Sequence, residues 1–155
     1  MNPPTEDVRE ILYSLSARYA AGVDRRDLGL FLGVFDREAS LTVYPWPAGN
    51  SDASRRMIGH GELGRVIELI GSYSRTFHLV GQGLYGVGHG EATGEVYCVA
   101  HHFKSTGTRG ADHVMYIRYE DQYRLGEGDG WKIASRAVRV DWAEDREVPA
   151  SCVPE

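Results

Sequence analysis

Three residue types in this chain could together move a proton: tyrosine and aspartate at the end of its first periodic segment, and histidine far downstream. That segment closes on Tyr19-Ala-Ala-Gly-Val-Asp24. Asp24 comes about 500° of helical rotation after Tyr19, so roughly 140° away from the apolar face. A helix bent or frayed at Gly22 would turn the carboxylate inward, to meet His78 and a second histidine. Imidazole titrates near a pKa of about 6.5, which suits a base working near neutral pH. An aspartate bonded to one ring nitrogen would set the tautomer and stabilise the ring once it is charged. A competing reading has Asp24 and Asp27 merely end one helix and cap the next, since Asp favours N-cap positions.

The elements that must position these groups are legible as changes of period. Val8, Ile11, Leu12, Leu15 and Tyr19 recur at helical spacing, and Leu28, Phe31, Leu32 and Phe35 repeat it behind Asp27. Ala39 to Tyr44 alternates as a strand and stops at Pro45, and Trp46 to Met57 reads as an irregular loop. Leu63, Val66, Ile67 and Ile70 predict a third helix, from about Gly59-His60 to about Gly71. Four long β-type segments follow, near 75–87, 91–104, 112–125 and 131–142, separated by Gly88-His-Gly90, Thr106 to Gly110 and Gly126 to Gly130. Strands this long must twist and curl. The expectation is an α+β domain over residues 1–143: a curled antiparallel sheet forming a cone, with three N-terminal helices over a central cavity, then a loosely ordered tail over 144–155.

Composition narrows the function classes. The 155 residues carry a net charge of −5 and no basic cluster, which argues against a nucleic-acid partner because phosphate contacts need concentrated Lys and Arg. No apolar run approaches the roughly 18 residues that span a bilayer. Asn2 to Asp7 reads as a short disordered lead-in and not as a secretory signal, so the expectation is a soluble, cytoplasmic protein without a membrane partner. Cys98 and Cys152 form neither a disulfide framework nor a metal-ligand spacing. His101 and His102 are adjacent, so on a strand they cannot easily share one ion, and no metal site is assigned. Gly81-Gln-Gly-Leu-Tyr-Gly86 lacks the strand–turn–helix setting of a dinucleotide site.

The order of elements and a set of residues resemble the SnoaL-like group of the nuclear-transport-factor-two-like superfamily. That group includes polyketide cyclases and relatives such as scytalone dehydratase and bile acid 7α-dehydratase. The likeness runs over about residues 6–143 and rests on Tyr19…Asp24-Arg-Arg-Asp27, Thr76-Phe-His78-Leu-Val-Gly81, Tyr97…Ala100-His-His102, Arg118-Tyr-Glu-Asp121 and Gly130-Trp-Lys-Ile-Ala-Ser-Arg136…Asp141-Trp142. The resemblance implies catalytic roles for Tyr19, Asp24, His78 and a polar residue on the second long strand, with an arginine on the last strand, Arg136 or Arg139, as a helper. It also implies a homodimer or homotrimer.

For the second-strand position His101 is preferred to His102. Neighbours on a strand point to opposite faces; His101 shares its side with Tyr97 and Val99, His102 with Cys98 and Ala100. Which side is concave is left open by the alternation. In this scheme His78 is the base, His101 the acid for a departing hydroxyl, and Tyr19 or Tyr44 a donor to the substrate oxygen. Tyr44, Trp46, Tyr97, His102 and Arg136 are the candidate substrate-binding residues. The function this implies is a cofactor-free dehydratase, isomerase or cyclase acting on a hydrophobic cyclic hydroxy- or keto-compound such as a steroid or polyketide. The rival is a non-catalytic binding or assembly module, such as the small subunit of a ring-hydroxylating dioxygenase.

Overall fold

The computed structural model describes residues 5–47, 55–105 and 107–152. Helix α1 (Thr5–Asp24) starts inside the stretch expected to be a disordered lead-in. Its buried stripe is Leu12, Leu15, Tyr19 and Val23, while Ile11, expected on that face, is 42% exposed. Ala17, Ala20, Ala21 and Asp24 form a second stripe beside Phe77, His78 and Val80. Small side chains let the helix lie close to the sheet there, and Asp24 continues the same row at a step of three. The carboxylate therefore reaches its partner with α1 intact through Asp24, and no bend at Gly22 is needed.

Gly22 serves another purpose. A Cβ there would lie 2.7 Å from the backbone nitrogen and 2.8 Å from the Cα of Phe31. Helix α2 (Leu28–Leu32) crosses α1 at this point, and Asp27 caps it by accepting from the Leu30 N–H at 2.9 Å. Phe35, assigned by period to this helix, instead opens strand β1 (Phe35–Tyr44), because the helix ends at Gly33. It stays in the core, its ring 5.3 Å from that of Phe31 and 6.0 Å from that of Tyr19.

The loop expected from Trp46 to Met57 is shorter than its composition suggests. Strand β2 (Arg55–Ile58) pairs antiparallel with β1, Leu41 opposite Met57, while positions 48–54 of that loop lie outside the described residues. The expected third helix is two short ones, α3 (Gly59–Leu63) and α4 (Arg65–Ile70), separated at Gly64. The four long strands follow as β3 (Arg75–Val87), β4 (Glu91–Ser105), β5 (Arg109–Gly126) and β6 (Gly130–Pro149), and a short 3₁₀ turn over Ala150–Cys152 follows them. The segment from residue 144, expected to be loose, continues β6 as far as Pro149, because residues up to Pro149 pair with β5, starting from Arg109.

The six strands make one curled, unclosed sheet in the order β2-β1-β6-β5-β4-β3. Neighbours are antiparallel except β1 and β6, which run parallel and bring the chain's first and last strands side by side. Register shifts interrupt the β3–β4 pairing between Val80 and Gly83, and the β5–β6 pairing at Tyr116/Ile117 and Gln122/Tyr123. Bulges of this kind bend the strands and add twist. The sheet thereby wraps one face around Leu41, Val96, Cys98, Ala100, Ile117 and Val140, and α1 closes over it. No helix among the described residues is long and apolar enough to cross a membrane.

Gly22→Ala should cost about 1–3 kcal/mol of stability, because the added methyl meets helix backbone that cannot swing aside. Urea unfolding checks this; a variant as stable as the parent would show that α2 can move away freely.

Candidate active site

The concave side of the sheet holds a cavity of about 350 Å³. Its wall is mostly apolar, with Leu41, Val43, Met57, Ile70, Ile117 and Val140 among the contributors. Polar atoms enter it from Tyr19 on α1, His78 on β3, His102 on β4 and Tyr119 on β5, and from the exposed Arg55. A pocket of this kind suits a hydrophobic ligand oriented by a few polar groups.

The shortest interaction in the site joins α1 to β3. His78 Nδ1 lies 2.7 Å from Asp24 Oδ1, and the His78 backbone N–H donates to Asp24 Oδ2 at 2.9 Å. The Thr76 hydroxyl donates to Oδ1 at 2.9 Å. A carboxylate can only accept, so Nδ1 carries the ring proton and neutral His78 keeps a bare Nε2. Burial tends to raise the Asp24 pKa; the hydrogen bonds from the His78 ring and backbone, together with Thr76, outweigh it and hold the carboxyl below its usual range. Asp24 is therefore ionised wherever His78 would work as a base.

His102 is held in the same tautomer by a different acceptor. Its Nδ1 lies 3.2 Å from the His113 carbonyl oxygen, so Nδ1 donates and Nε2 is free to accept. Burial, helped by the nearby His78, lowers its pKa to about 4. The His78 and His102 rings are 5.7 Å apart at 77°, and the Tyr73 ring lies 5.0 Å from His102 on another side. Two bare imidazole nitrogens thus belong to one apolar hollow.

The buried hydrogen-bond donors of the cavity are the tyrosines, with the exposed Arg55 also in its lining. Burial pushes the Tyr19 phenol up to about 12 against the opposing charge of Arg136, and pushes Tyr119 well above its usual value. Both keep their protons. Arg136 does not reach the cavity. Its side chain is fully buried behind these rings, 4.4 Å from the Tyr19 centroid and 4.1 Å from that of Tyr119. Arg136 Nε and Nη2 donate to Asp121 at 2.8 and 2.7 Å, and Nη2 also donates to Ser16 at 2.7 Å. Its expected contact with substrate is corrected to support of the two tyrosines, since its charge is already consumed by Asp121.

Of the residues singled out in the sequence, the fold brings Tyr19, His78 and His102 to the cavity, sets Asp24 behind His78, and leaves the rest outside. His101, preferred as the acid, points to the convex side, bonded to Asp112 Oδ2 at 2.7 Å and stacked on Phe103. The reason is the register of β4: His102, Ala100 and Cys98 face the core, which sends the alternate residues outward. Tyr97 goes with His101, into an outer groove beside Leu79, Tyr116 and Trp142. Tyr44 also faces outward, beneath the Arg139 guanidinium at 4.4 Å, because its neighbours Val43 and Pro45 take the inward places. Trp46 is half exposed and is not among the described residues that line the cavity.

Tyr119 and Thr76 were not proposed for roles, although both lie inside stretches that carry the family likeness. Tyr119 alternates with Ile117 and Tyr123 on β5, which marks it as inward once the concave side is known. Thr76 is 2% exposed and has no signal in the sequence beyond its distance of two residues from His78.

Comparison with known proteins bears on the family and the fold. The SnoaL-like domain family matches residues 4–137. No curated protein matches the chain. Among solved structures, a protein from Novosphingobium aromaticivorans assigned as a scytalone dehydratase superposes with a TM-score of 0.73 at 19% identity, covering 93% of this chain and 92% of its own. The hexachlorocyclohexane dehydrochlorinase LinA-type3 from Novosphingobium barchaimii superposes with a TM-score of 0.75 at 15% identity, over 90% of each chain. A third, from N. aromaticivorans, is assigned as the β subunit of an aromatic-ring-hydroxylating dioxygenase: TM-score 0.67, 20% identity, 87% of this chain and 92% of its own. At these identities the likeness to the solved structures establishes the shared fold.

The buried His102 makes stability depend on pH. Its folded pKa of about 4 lies below the value of 6.5 for a free imidazole, so the unfolded chain binds the proton more readily. The contribution is complete above pH 6.5 and is lost as pH falls from 6.5 through 4. His102→Asn, which keeps a donor for the His113 carbonyl, should remove about 3 kcal/mol of pH dependence across that window. Urea titrations at successive pH values measure it; an unchanged slope in the variant would place the titrating group elsewhere.

Proposed function

The chain belongs to the SnoaL-like family, and from that premise we propose that it is a cofactor-free acid–base lyase, a dehydratase of hydrophobic cyclic hydroxy- or keto-compounds such as steroids or polyketides. The observation that carries the reading is the 2.7 Å contact by which Asp24 holds His78 at the wall of a mostly apolar cavity.

In this reading His78 Nε2 removes the proton from a carbon beside the substrate carbonyl. Asp24 stabilises the imidazolium that forms. The Tyr19 and Tyr119 hydroxyls, protonated at neutral pH, donate to the carbonyl oxygen as it gains negative charge. The carbon–oxygen bond to the leaving hydroxyl then breaks, and the proton held on His78 passes to it, so that one unsaturated product and one water are formed. His102 is neutral and its only N–H is engaged, so it is not the acid once expected of His101. Its bare Nε2 accepts a hydrogen bond from a substrate hydroxyl and orients the ring. Isomerisation or cyclisation would use the same first step.

The rival reading, a binding or assembly module, is favoured by one observation: the convex face exposes Phe77, Leu79, Leu84 and Trp142. Apolar area of this kind marks an interface. It fits equally an enzyme that assembles as a homodimer or homotrimer through that face, and this assembly is part of the proposal. Sedimentation in solution distinguishes such an oligomer from a monomer.

A panel of cyclic hydroxy-ketones supplies the decisive measurement. His78→Ala should lower kcat about 10²–10⁴-fold while the far-UV spectrum stays native. Asp24→Asn should also lower kcat, since Asn cannot stabilise the imidazolium. A His78→Ala protein that keeps near-normal kcat on a converted substrate would end the dehydratase reading.

A further inference from the structure

The turn after α1 contains a residue in a conformation that its type disfavours. Arg26 has a φ of 56°. It occupies the position usually given to glycine in a helix-ending motif: the Arg26 N–H bonds the Val23 carbonyl at 3.1 Å and the Asp27 N–H bonds the Gly22 carbonyl at 2.9 Å. An L side chain pays roughly 1–2 kcal/mol to sit there. The side chain is not spent on solvent.

Arg26 Nη1 donates to the Thr76 hydroxyl at 2.8 Å and to the Val23 carbonyl at 2.9 Å. Its Nη2 donates to the carbonyls of Ile70 and Tyr73, both at 3.3 Å. A guanidinium has no acceptor, so the Thr76 oxygen must accept from it. The single Thr76 proton is then directed to Asp24 Oδ1, at 2.9 Å. On its other side the same guanidinium holds the end of α4, where Ile70 lines the cavity and Tyr73 lies against His102.

We propose that Arg26, acting through Thr76, is a positioning residue for the Asp24–His78 pair, and that it keeps this pair in register with the α4 wall of the cavity. The role rests on the reading of His78 as the base. Oδ1 receives Thr76 and the His78 ring, and Oδ2 receives the His78 backbone N–H, so the carboxylate cannot rotate without losing a bond. Removing the guanidinium frees the Thr76 hydroxyl to turn, and Asp24 loses one of its fixed donors. Neither Arg26 nor Thr76 touches the cavity, so both act through Asp24.

Arg26→Gly is the informative variant, because glycine adopts this φ without strain and the helix ending survives. The Asp24 carboxyl titration, followed by carbon NMR, and the exchange of the His78 Nδ1 proton with water, followed by proton NMR, report the pair directly. In Arg26→Gly and Thr76→Val the Asp24 midpoint should rise by about half to one pH unit and the Nδ1 proton should exchange faster. Thr76→Ser, which keeps the hydroxyl, should match the parent in both. A folded Arg26→Gly protein with both readouts unchanged would reduce Arg26 to a helix end. Should that variant not fold, the threonine pair decides: Val and Ser behaving alike overturns the role. No substrate enters these measurements, so an active His78→Ala protein would end the dehydratase reading while leaving this result standing.

Discussion

The Asp24 carboxylate is where the two halves of the molecule meet. It ends the first helix, yet all its described hydrogen bonds come from the edge strand β3, across more than fifty residues of chain. These bonds fix the distance between α1 and the sheet at the mouth of the cavity. The alanine row at 17, 20 and 21 makes the approach close enough for them to form. One carboxylate thus sets a tautomer, anchors a helix end and holds the His78 ring at the wall of the site. Because three donors converge on it, the group stays ionised despite partial burial.

A second buried charge supports the site without belonging to it. Arg136 and Asp121 have side chains with no exposure, and burial of such a pair gains little net stability by itself. What the pair provides is placement. The guanidinium lies against Tyr19 and Tyr119, and the carboxylate takes a further bond from the Tyr123 hydroxyl at 2.7 Å. The two cavity phenols are thereby held by a cation against their rings, the Tyr119 hydroxyl meeting Cys98 as well. The buried polar groups of the cavity follow: two phenols and two bare ring nitrogens set in a mostly hydrocarbon wall, with Arg55 at an exposed position.

The sheet explains how a common fold carries such a site. Bulges in the β3–β4 and β5–β6 pairings curl long strands around a space too large for their own side chains to fill. The chemistry of that space is then set by a handful of inward positions. Solved structures of the same architecture include proteins assigned as a scytalone dehydratase, a hexachlorocyclohexane dehydrochlorinase and a dioxygenase β subunit, as expected when function resides in side chains grafted on a shared frame.

Local sequence determined much of this protein. Periodicity and turn residues located α1, the capping role of Asp27, and the four long strands to within a few residues except for the end of the last, because these depend on contacts between near neighbours. The match of Asp24 with His78 was legible as well, through residue types set in a recognisable order. What tertiary structure alone decided was direction. Alternation makes His101 and His102 equivalent until the sheet curls, and only the curl assigns His102, Ala100 and Cys98 to the concave side. The same holds for Tyr44 against Val43 and for Arg136 against Arg139. The extension of β6 to Pro149 and the pairing of Arg55–Ile58 as a strand were hidden for a related reason: each is stabilised by hydrogen bonds to a partner strand distant in sequence, and a hydrogen-bonding partner leaves no mark on local composition.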